Sequence, residues 1–355
     1  MKSNASPQVT EKAILAVLAG TPLRQAAADV LIDPADLADA VDLYQAAGYA
    51  ALQAQAATGD WYQVRIQFAD WDTAEQAAAA HLWPELQRAE TAGVLSSWWF
   101  IRKAPCWRLR CQPAPAALPA DMKAHVTRAL DQMLSRCLIT GWQESIYEPE
   151  THAFGGPEGI LIAHHLFHAD SRGVLGYASQ LDPAVSGDGP GIGRRELSIL
   201  LCSLLMRGAG QDWYEQGDTW NQVQATRPLP PGTPHERLRE IRPIVWRLMT
   251  VDSEHTGTLV NGDGPLASAS GWAAAFTTAG QALAANTHEG KLSRGLRDIL
   301  AHHIIFHWNR IGLSARIQGI LARAGTEAVF EADTESCPRP EPRVGLELSI
   351  GLEST

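Results

Sequence analysis

Two stretches of this chain alternate at a period of two, which a helix cannot satisfy. In Trp61-Tyr62-Gln63-Val64-Arg65-Ile66-Gln67-Phe68, the residues Tyr62, Val64, Ile66 and Phe68 fall on one face. Trp98-Trp99-Phe100-Ile101-Arg102 leads through a turn at Ala104-Pro105 into Trp107-Arg108-Leu109-Arg110-Cys111. There alternation puts Arg108 and Arg110 on one side and Trp107, Leu109 and Cys111 on the other. A further short strand is expected over Trp142–Tyr147. Helical spacing fills the rest: Thr73–Gly93 and Ala120–Cys137 between the strands, then Arg194–Ala209, His235–Met249, Leu266–Asn286 and Leu292–Ala324, with helices dominating from Pro157 onward. Strands come early and helices late. This order predicts an α+β fold, a mainly antiparallel sheet packed with helices.

Ahead of the first strand, Val9–Ala57 is rich in alanine and reads as three helices, Glu11–Ala19, Leu23–Leu31 and Pro34–Leu52, punctuated by Gly20-Thr21-Pro22 and Asp33-Pro34. The pattern is that of a small helix-turn-helix bundle. Its third segment carries Asp36, Asp39 and Asp42, where a DNA-reading helix brings Arg or Lys to phosphates, so a docking or packing module is the expectation. The expected organisation is a helical N-terminal module at 1–57, a main domain at 58–334 and a tail at 335–355 that is mobile or lies across the surface.

With 355 residues and 45% hydrophobic content, the chain can bury a substantial core. A formal net charge of -10 argues against DNA or an anionic membrane as partner. Five scattered cysteines, Cys106, Cys111, Cys137, Cys202 and Cys337, show neither a Cys-x-x-Cys pair nor zinc spacing, so the cytoplasm is the expected compartment. No apolar run reaches the roughly 20 residues of a membrane helix. Neither export nor anchoring is indicated.

The chemistry-bearing residues concentrate in two places. Tyr147-Glu148-Pro149-Glu150-Thr151-His152-Ala153-Phe154-Gly155-Gly156 delivers acids and a histidine beside a helix N-terminus at Pro157-Glu158. Beyond it Ile160, His164, Phe167 or His168, and Ser171 share one helical face, while Asp170-Ser171 reads equally as a helix-end cap. Near the C-terminus, His303, His307, Arg310 and Ser314 lie along one helical stripe, readable as an acid/base face or as a semi-buried stripe satisfied by hydrogen bonds. Histidines four apart are one way to begin a metal site, but His-Glu-x-x-His is absent and no third ligand can be assigned, so no metal is expected. No nucleotide or phosphate loop, Gly-x-Ser-x-Gly or kinase motif occurs, and no cofactor is expected; Gly187–Gly191 reads as turn.

Four pieces in order, Trp98–Arg102 with Arg108-Leu109-Arg110, Tyr147–Glu150 with Phe154-Gly155-Gly156, Phe167–Ser171, and His307–Arg310, make the chain over roughly 61–324 resemble the thiopeptide-type bacteriocin biosynthesis domain. That domain is also the C-terminal elimination domain of lantibiotic dehydratases. The resemblance implies work on a ribosomally made precursor peptide with a leader. In its elimination branch, a separate subunit glutamylates Ser or Thr and this fold expels glutamate to leave a dehydroamino acid. It implies Arg102, Glu150 and His307 as catalytic residues; these are expected to converge on one cleft near the Gly155-Gly156 turn, with Arg108, Arg110, His152 and Arg310 as further candidates, for binding substrate. Two positions depart: Ala153 stands where the branch places an arginine, and the histidine aligns at Ile305 or His307. The same fold also implies two alternatives. One is a pyridine synthase joining two dehydroalanines by formal cycloaddition with leader release, for which a leader-docking module such as Val9–Ala57 is suited. The other is a non-catalytic member that binds the precursor or supports the dehydratase. The oligomeric state stays open, a homodimer included.

Overall fold

The computed structural model describes residues 6–58, 61–180, 192–251 and 269–331. The Gly187–Gly191 loop, the tail at 335–355 and Cys337 lie outside them. The chain divides into two compact units, Met1–Gly59 and Asp60–Thr355.

The first unit consists of α1 (Pro7–Leu18), α2 (Leu23–Asp29) and α3 (Pro34–Thr58). Ser6 caps α1 by accepting the Val9 amide, and Pro7 occupies the first turn, where its missing N–H costs nothing. The core is small: Ala13, Ile14, Ala26, Ala27, Ile32, Leu37 and Val41.

Among the described residues the second unit holds four strands, β1 (Tyr62–Phe68), β2 (Leu95–Lys103), β3 (Cys106–Pro113) and β4 (Ile139–Ser145), ordered β2-β3-β1-β4 with every pair antiparallel. Between β1 and β2 run α4 (Ala74–Ala77), a π-helical turn (Ala78–Leu82) and α5 (Trp83–Thr91); α6 (Pro119–Ser135) joins β3 to β4. The helical part follows as α7 (Pro157–Gln180), α8 (Arg194–Gly208), α9 (Trp213–Thr226), α10 (His235–Thr250), α11 (Ser270–His288), α12 (Leu296–Ile311) and α13 (Ala315–Phe330). The fold is α+β. No helix among the described residues is long and apolar enough to cross a membrane.

The alternation of the strands becomes two buried faces. Tyr62, Val64, Ile66, Phe68, Trp98, Phe100, Trp107, Leu109 and Cys111 enter the main core with the helices. On the other face Trp99 and Ile101 join a smaller cluster of Tyr147, Phe154, Ile160, Ala163 and Phe167. Trp98 and Trp99, adjacent in sequence, are thus both fully buried on opposite faces, each contributing on the order of 2–3 kcal/mol of transfer free energy.

Three helical expectations change. The single helix expected over Leu292–Ala324 is two, because Gly312 takes a left-handed conformation at φ 83° and the Ser314 side chain then caps α13 by accepting the Ile317 amide. Ser314 therefore leaves the histidine stripe. Helix α9 went unread, although Asp212 and Glu215 form a reciprocal capping box at its start. Asp170-Ser171 is no helix end: both residues are fully buried ten residues inside α7.

Candidate active site

The site grows from the problem of an uncovered sheet edge. Strand β2 is outermost, so the backbone groups of Trp98 and Phe100 point away from β3 and need partners. Helices α7 and α12 supply them with side chains. His168 Nδ1 lies 3.2 Å from the Trp98 amide and 2.9 Å from its carbonyl, Ser171 Oγ accepts the Phe100 amide at 3.1 Å, and Arg310 Nε donates to the Phe100 carbonyl at 2.9 Å. Three polar residues are thereby fixed at the interface. Asp170, between His168 and Ser171, faces inward and collects the Trp272 indole N–H at 2.9 Å, His307 Nδ1 at 2.9 Å and the Arg310 guanidinium. Burial alone would raise its pKa, but His307 and Arg310 outweigh it and hold the carboxyl below the usual range. Cation and anion are both wholly buried, so each is costly without the other.

On the far side of Trp99 lies a second, more open group. Arg110 sits in the corner of two edge-to-face rings, its guanidinium carbon 4.0 Å from the Trp99 ring centre and 4.3 Å from that of Tyr147, while Nε donates to Gln63 Oε1 at 2.7 Å. Its Nη1 is buried with no hydrogen-bond partner among the described residues, and so is Glu150 Oε2. Burial pushes the Arg110 pKa down to about 10, opposed by Tyr147 and Glu150. The Tyr147 hydroxyl and His164 Nε2 share a hydrogen bond of 2.8 Å. Burial, then Arg110, depresses His164 to about 3, so its imidazole is neutral at physiological pH, and burial raises the Tyr147 phenol. Trp61, half-buried, packs on the His164 ring at 4.8 Å.

The approach to this group is set by the Gly155-Gly156 turn. Both glycines adopt positive φ, 86° and 100°, and the Gly155 carbonyl accepts the Ser293 amide at 2.9 Å, so the turn docks on the chain leading into α12. Phe154 then packs edge-on against His303 at 4.8 Å and Phe306 at 5.1 Å. His303 is buried with both ring nitrogens unpartnered among the described residues.

The fold therefore gathers the sequence candidates unevenly. Glu150 lies near enough for its charge to act on Arg110 without an ion pair between them, Arg108 stands half-buried next along the same face of β3 without an ion pair among the described residues, and Arg310 with His307 forms the layer behind Trp99. The expected convergence of Arg102 with Glu150 and His307 in one cleft is not what the fold builds. Arg102 shares the opposite sheet face with Phe100 and Trp107. There it donates to the Arg310 carbonyl at 2.9 Å and pairs with Glu75 at 2.6 Å, while Arg194 pairs with the same Glu75 and caps the Ile311 carbonyl. Two arginines and one carboxylate thus close the C-terminus of α12, where the helix dipole favours cations. His152 is exposed in the turn. His307 is only 1% exposed and bound to Asp170, walled by Phe276 and Trp272. Sequence reasoning gave Asp170 only a capping role and Tyr147, His164 and Gln63 none; the signals were the place of Tyr147 and Asp170 in the family motifs and of His164 on the polar face of α7. No group of three or more His, Cys, Asp or Glu that could hold a metal occurs among the described residues.

A family model, the lantibiotic biosynthesis dehydratase C-terminal domain, matches residues 61–329. The chain belongs to this family. Among solved structures, the tRNA-dependent lantibiotic dehydratase MibB from Microbispora sp. 107891 is similar at 18% identity and TM-score 0.56, over 77% of this chain and 28% of MibB. The chain thus spans little more than a quarter of that protein's length. The pyridine synthase TbtD from thiomuracin biosynthesis is similar at 13% identity and TM-score 0.56, over 77% of this chain and 98% of TbtD. At such identities the likeness is one of fold. No curated protein matches the sequence.

Proposed function

We propose that this protein tailors a ribosomally made precursor peptide by eliminating glutamate from glutamylated Ser or Thr, the glutamyl group having been installed by a separate dehydratase subunit. The observation that carries this reading is the pair of unsatisfied, oppositely charged groups, Arg110 Nη1 against the Trp99 and Tyr147 rings and Glu150 Oε2 near enough to act on its charge, with Arg108 the next cation along β3. A substrate that completes their hydrogen bonds accounts for both. Two cations against one carboxylate leave net positive charge for an anionic leaving group.

In this scheme the Glu150 carboxylate takes the Cα proton of the modified residue. The released electron pair forms the Cα–Cβ double bond as the Cβ–O bond breaks, and glutamate departs with that oxygen in its carboxylate. Arg110, held in the corner formed by Trp99 and Tyr147, stabilises the enolate oxygen while Arg108 receives the departing carboxylate. The Tyr147–His164 pair fixes one wall of the site. His307 and Arg310 act without touching substrate: through Asp170 and the Phe100 carbonyl they hold β2, and hence Trp99, in register.

Incubating a glutamylated precursor with the protein and following intact mass tests this. The expected result is loss of glutamate, slowed roughly 10²–10⁴-fold in Glu150→Gln, as removal of an acid/base group predicts, and slowed by Arg110→Lys, which keeps charge but not the planar fork. Ala153 favours a second reading, because the turn offers no cation for a dicarboxylate; in that reading the aromatic site serves the pyridine-forming cycloaddition. An unchanged glutamylated peptide, together with leader release and a pyridine chromophore from a polydehydroalanine peptide, overturns elimination in its favour. Inertness toward both substrates leaves the non-catalytic role.

A further inference from the structure

The two edges of the sheet are treated differently. The outer backbone of β2 is sealed by His168, Ser171 and Arg310. Alternation of the ladder then fixes which groups face outward on the opposite edge. Trp98 and Phe100 point away from β3, so Trp99 bonds Arg110, Leu109 bonds Val64, and Gln63 and Arg65 bond Ser145 and Gln143. The backbone N–H and C=O of Trp142 and Glu144 are left on the outer side of β4. Among the described residues no other element's backbone bonds to that side, and Thr140, Gln143, Glu144 and Ile146 are exposed. The edge is only lightly protected, by the single charge of Glu144. Strand β4 carries no Lys or Pro, and its irregularity sits at the far end, opposite Gln67/Phe68. Its other end runs through Ile146, 87% exposed, straight into Tyr147 and Glu150.

We infer that the outer edge of β4 is where the substrate peptide docks, as an added strand whose continuation enters the Arg110–Glu150 site. The inference rests on the peptide-tailoring reading and specifies how the peptide is held. Backbone pairing along an edge binds extended chain with little regard to sequence, as an enzyme modifying several Ser or Thr positions of one peptide requires. Seven residues of β4 offer a docking length of roughly 24 Å at about 3.4 Å per residue. Continuity between edge and site selects the substrate over other occupants. A strand seated there delivers its neighbouring residues to Glu150 without crossing another element of the sheet.

The test uses the full chain and a fluorescein-labelled synthetic decapeptide bearing one O-glutamylserine, in versions N-methylated at successive backbone positions. Affinity is expected to fall fivefold or more at every second position, because only alternate amides of an added strand face the sheet. Glu144→Pro, which removes an outward N–H and spares the β1–β4 ladder, should weaken binding similarly, whereas Glu144→Gln should not. Uniform tolerance of N-methylation with glutamate still lost overturns the docking mode and leaves the tailoring reading standing. Alternating sensitivity without glutamate loss does the reverse. Binding that emerges only after deletion of residues 332–355, or a dimer dissolved by Glu144→Pro, assigns the edge to the chain's own tail or to a second copy and overturns the inference.

Discussion

His303 shows how far a single residue shapes the behaviour of this fold. Burial, then the nearby Arg310, depresses its pKa to about 3, and His164 is depressed to a similar value. In the unfolded chain both titrate near 6.5, so between these values the unfolded state binds the extra protons. Their contribution is complete above about pH 6.5 and is lost as pH falls toward 3, at roughly 1.4 kcal/mol per pH unit for each histidine. Asp170, also depressed, adds its own loss below about pH 4. His303→Leu removes one of these terms and two unpartnered buried nitrogens. Urea unfolding between pH 4 and 6.5 should therefore show a visibly shallower acid limb for the variant; parallel limbs would refute a buried neutral His303. The histidine stripe itself was readable from the spacing of His303, His307 and Arg310. Its meaning was not, since the decisive partner, Asp170, is 137 residues from His307 in sequence and only the fold joins them. Arg102 is the opposite case. A two-residue turn at Ala104-Pro105 sets Lys103 opposite Cys106 and Arg102 opposite Trp107, and cross-strand partners share a face. The separation of Arg102 from Arg108 and Arg110 was thus already implicit in the turn length, had register been carried across it.

At the scale of elements, the antiparallel sheet was legible because alternation of large apolar residues leaves few other folds open, and the helix ends were legible where Gly, Pro or a capping pair marked them. What was not legible is the joint use of α7 and α12 as a lid on an edge strand. That depends on side chains meeting backbone across sequence separations of 70, 71 and 210 residues, for which no local pattern exists. Ser171 gives the clearest test of this seal. It accepts the Phe100 amide in a fully buried setting, and Ala at 171 leaves that amide without a partner. A stability loss of about 1–3 kcal/mol is expected, read as a lowered midpoint in urea with an unchanged slope. Ser171→Thr, which keeps the hydroxyl, separates the lost hydrogen bond from the altered packing. Should Ser171→Ala unfold like the parent chain, the Phe100 amide must be satisfied in some other way and the seal is not what stabilises β2.

At the scale of the molecule, the two units differ sharply in how much holds each together. The second unit has an extensive core with fully buried Trp98, Trp99, Trp107, Trp220 and Trp308, backed by the wholly buried Asp170–Arg310 pair. The first unit's core is seven residues, three of them alanine, and it leaves Leu31 at 95%, Leu43 at 72% and Leu52 at 66% exposure. Small domains bury a low fraction of their surface and are correspondingly marginal. Regions with few buried apolar contacts open at free energies well below the global value. Native-state hydrogen exchange should therefore separate the units: amides of α1–α3 exchange through openings of a few kcal/mol, about the limit for so small a core. Those of β1–β3, α7 and α12 should exchange only with global unfolding, and urea should raise exchange in α1–α3 first. Equal protection across both units at every urea concentration would contradict this, because a core of seven aliphatic residues cannot by itself match one built on five buried tryptophans. The helical module would then have to draw its stability from outside its own core.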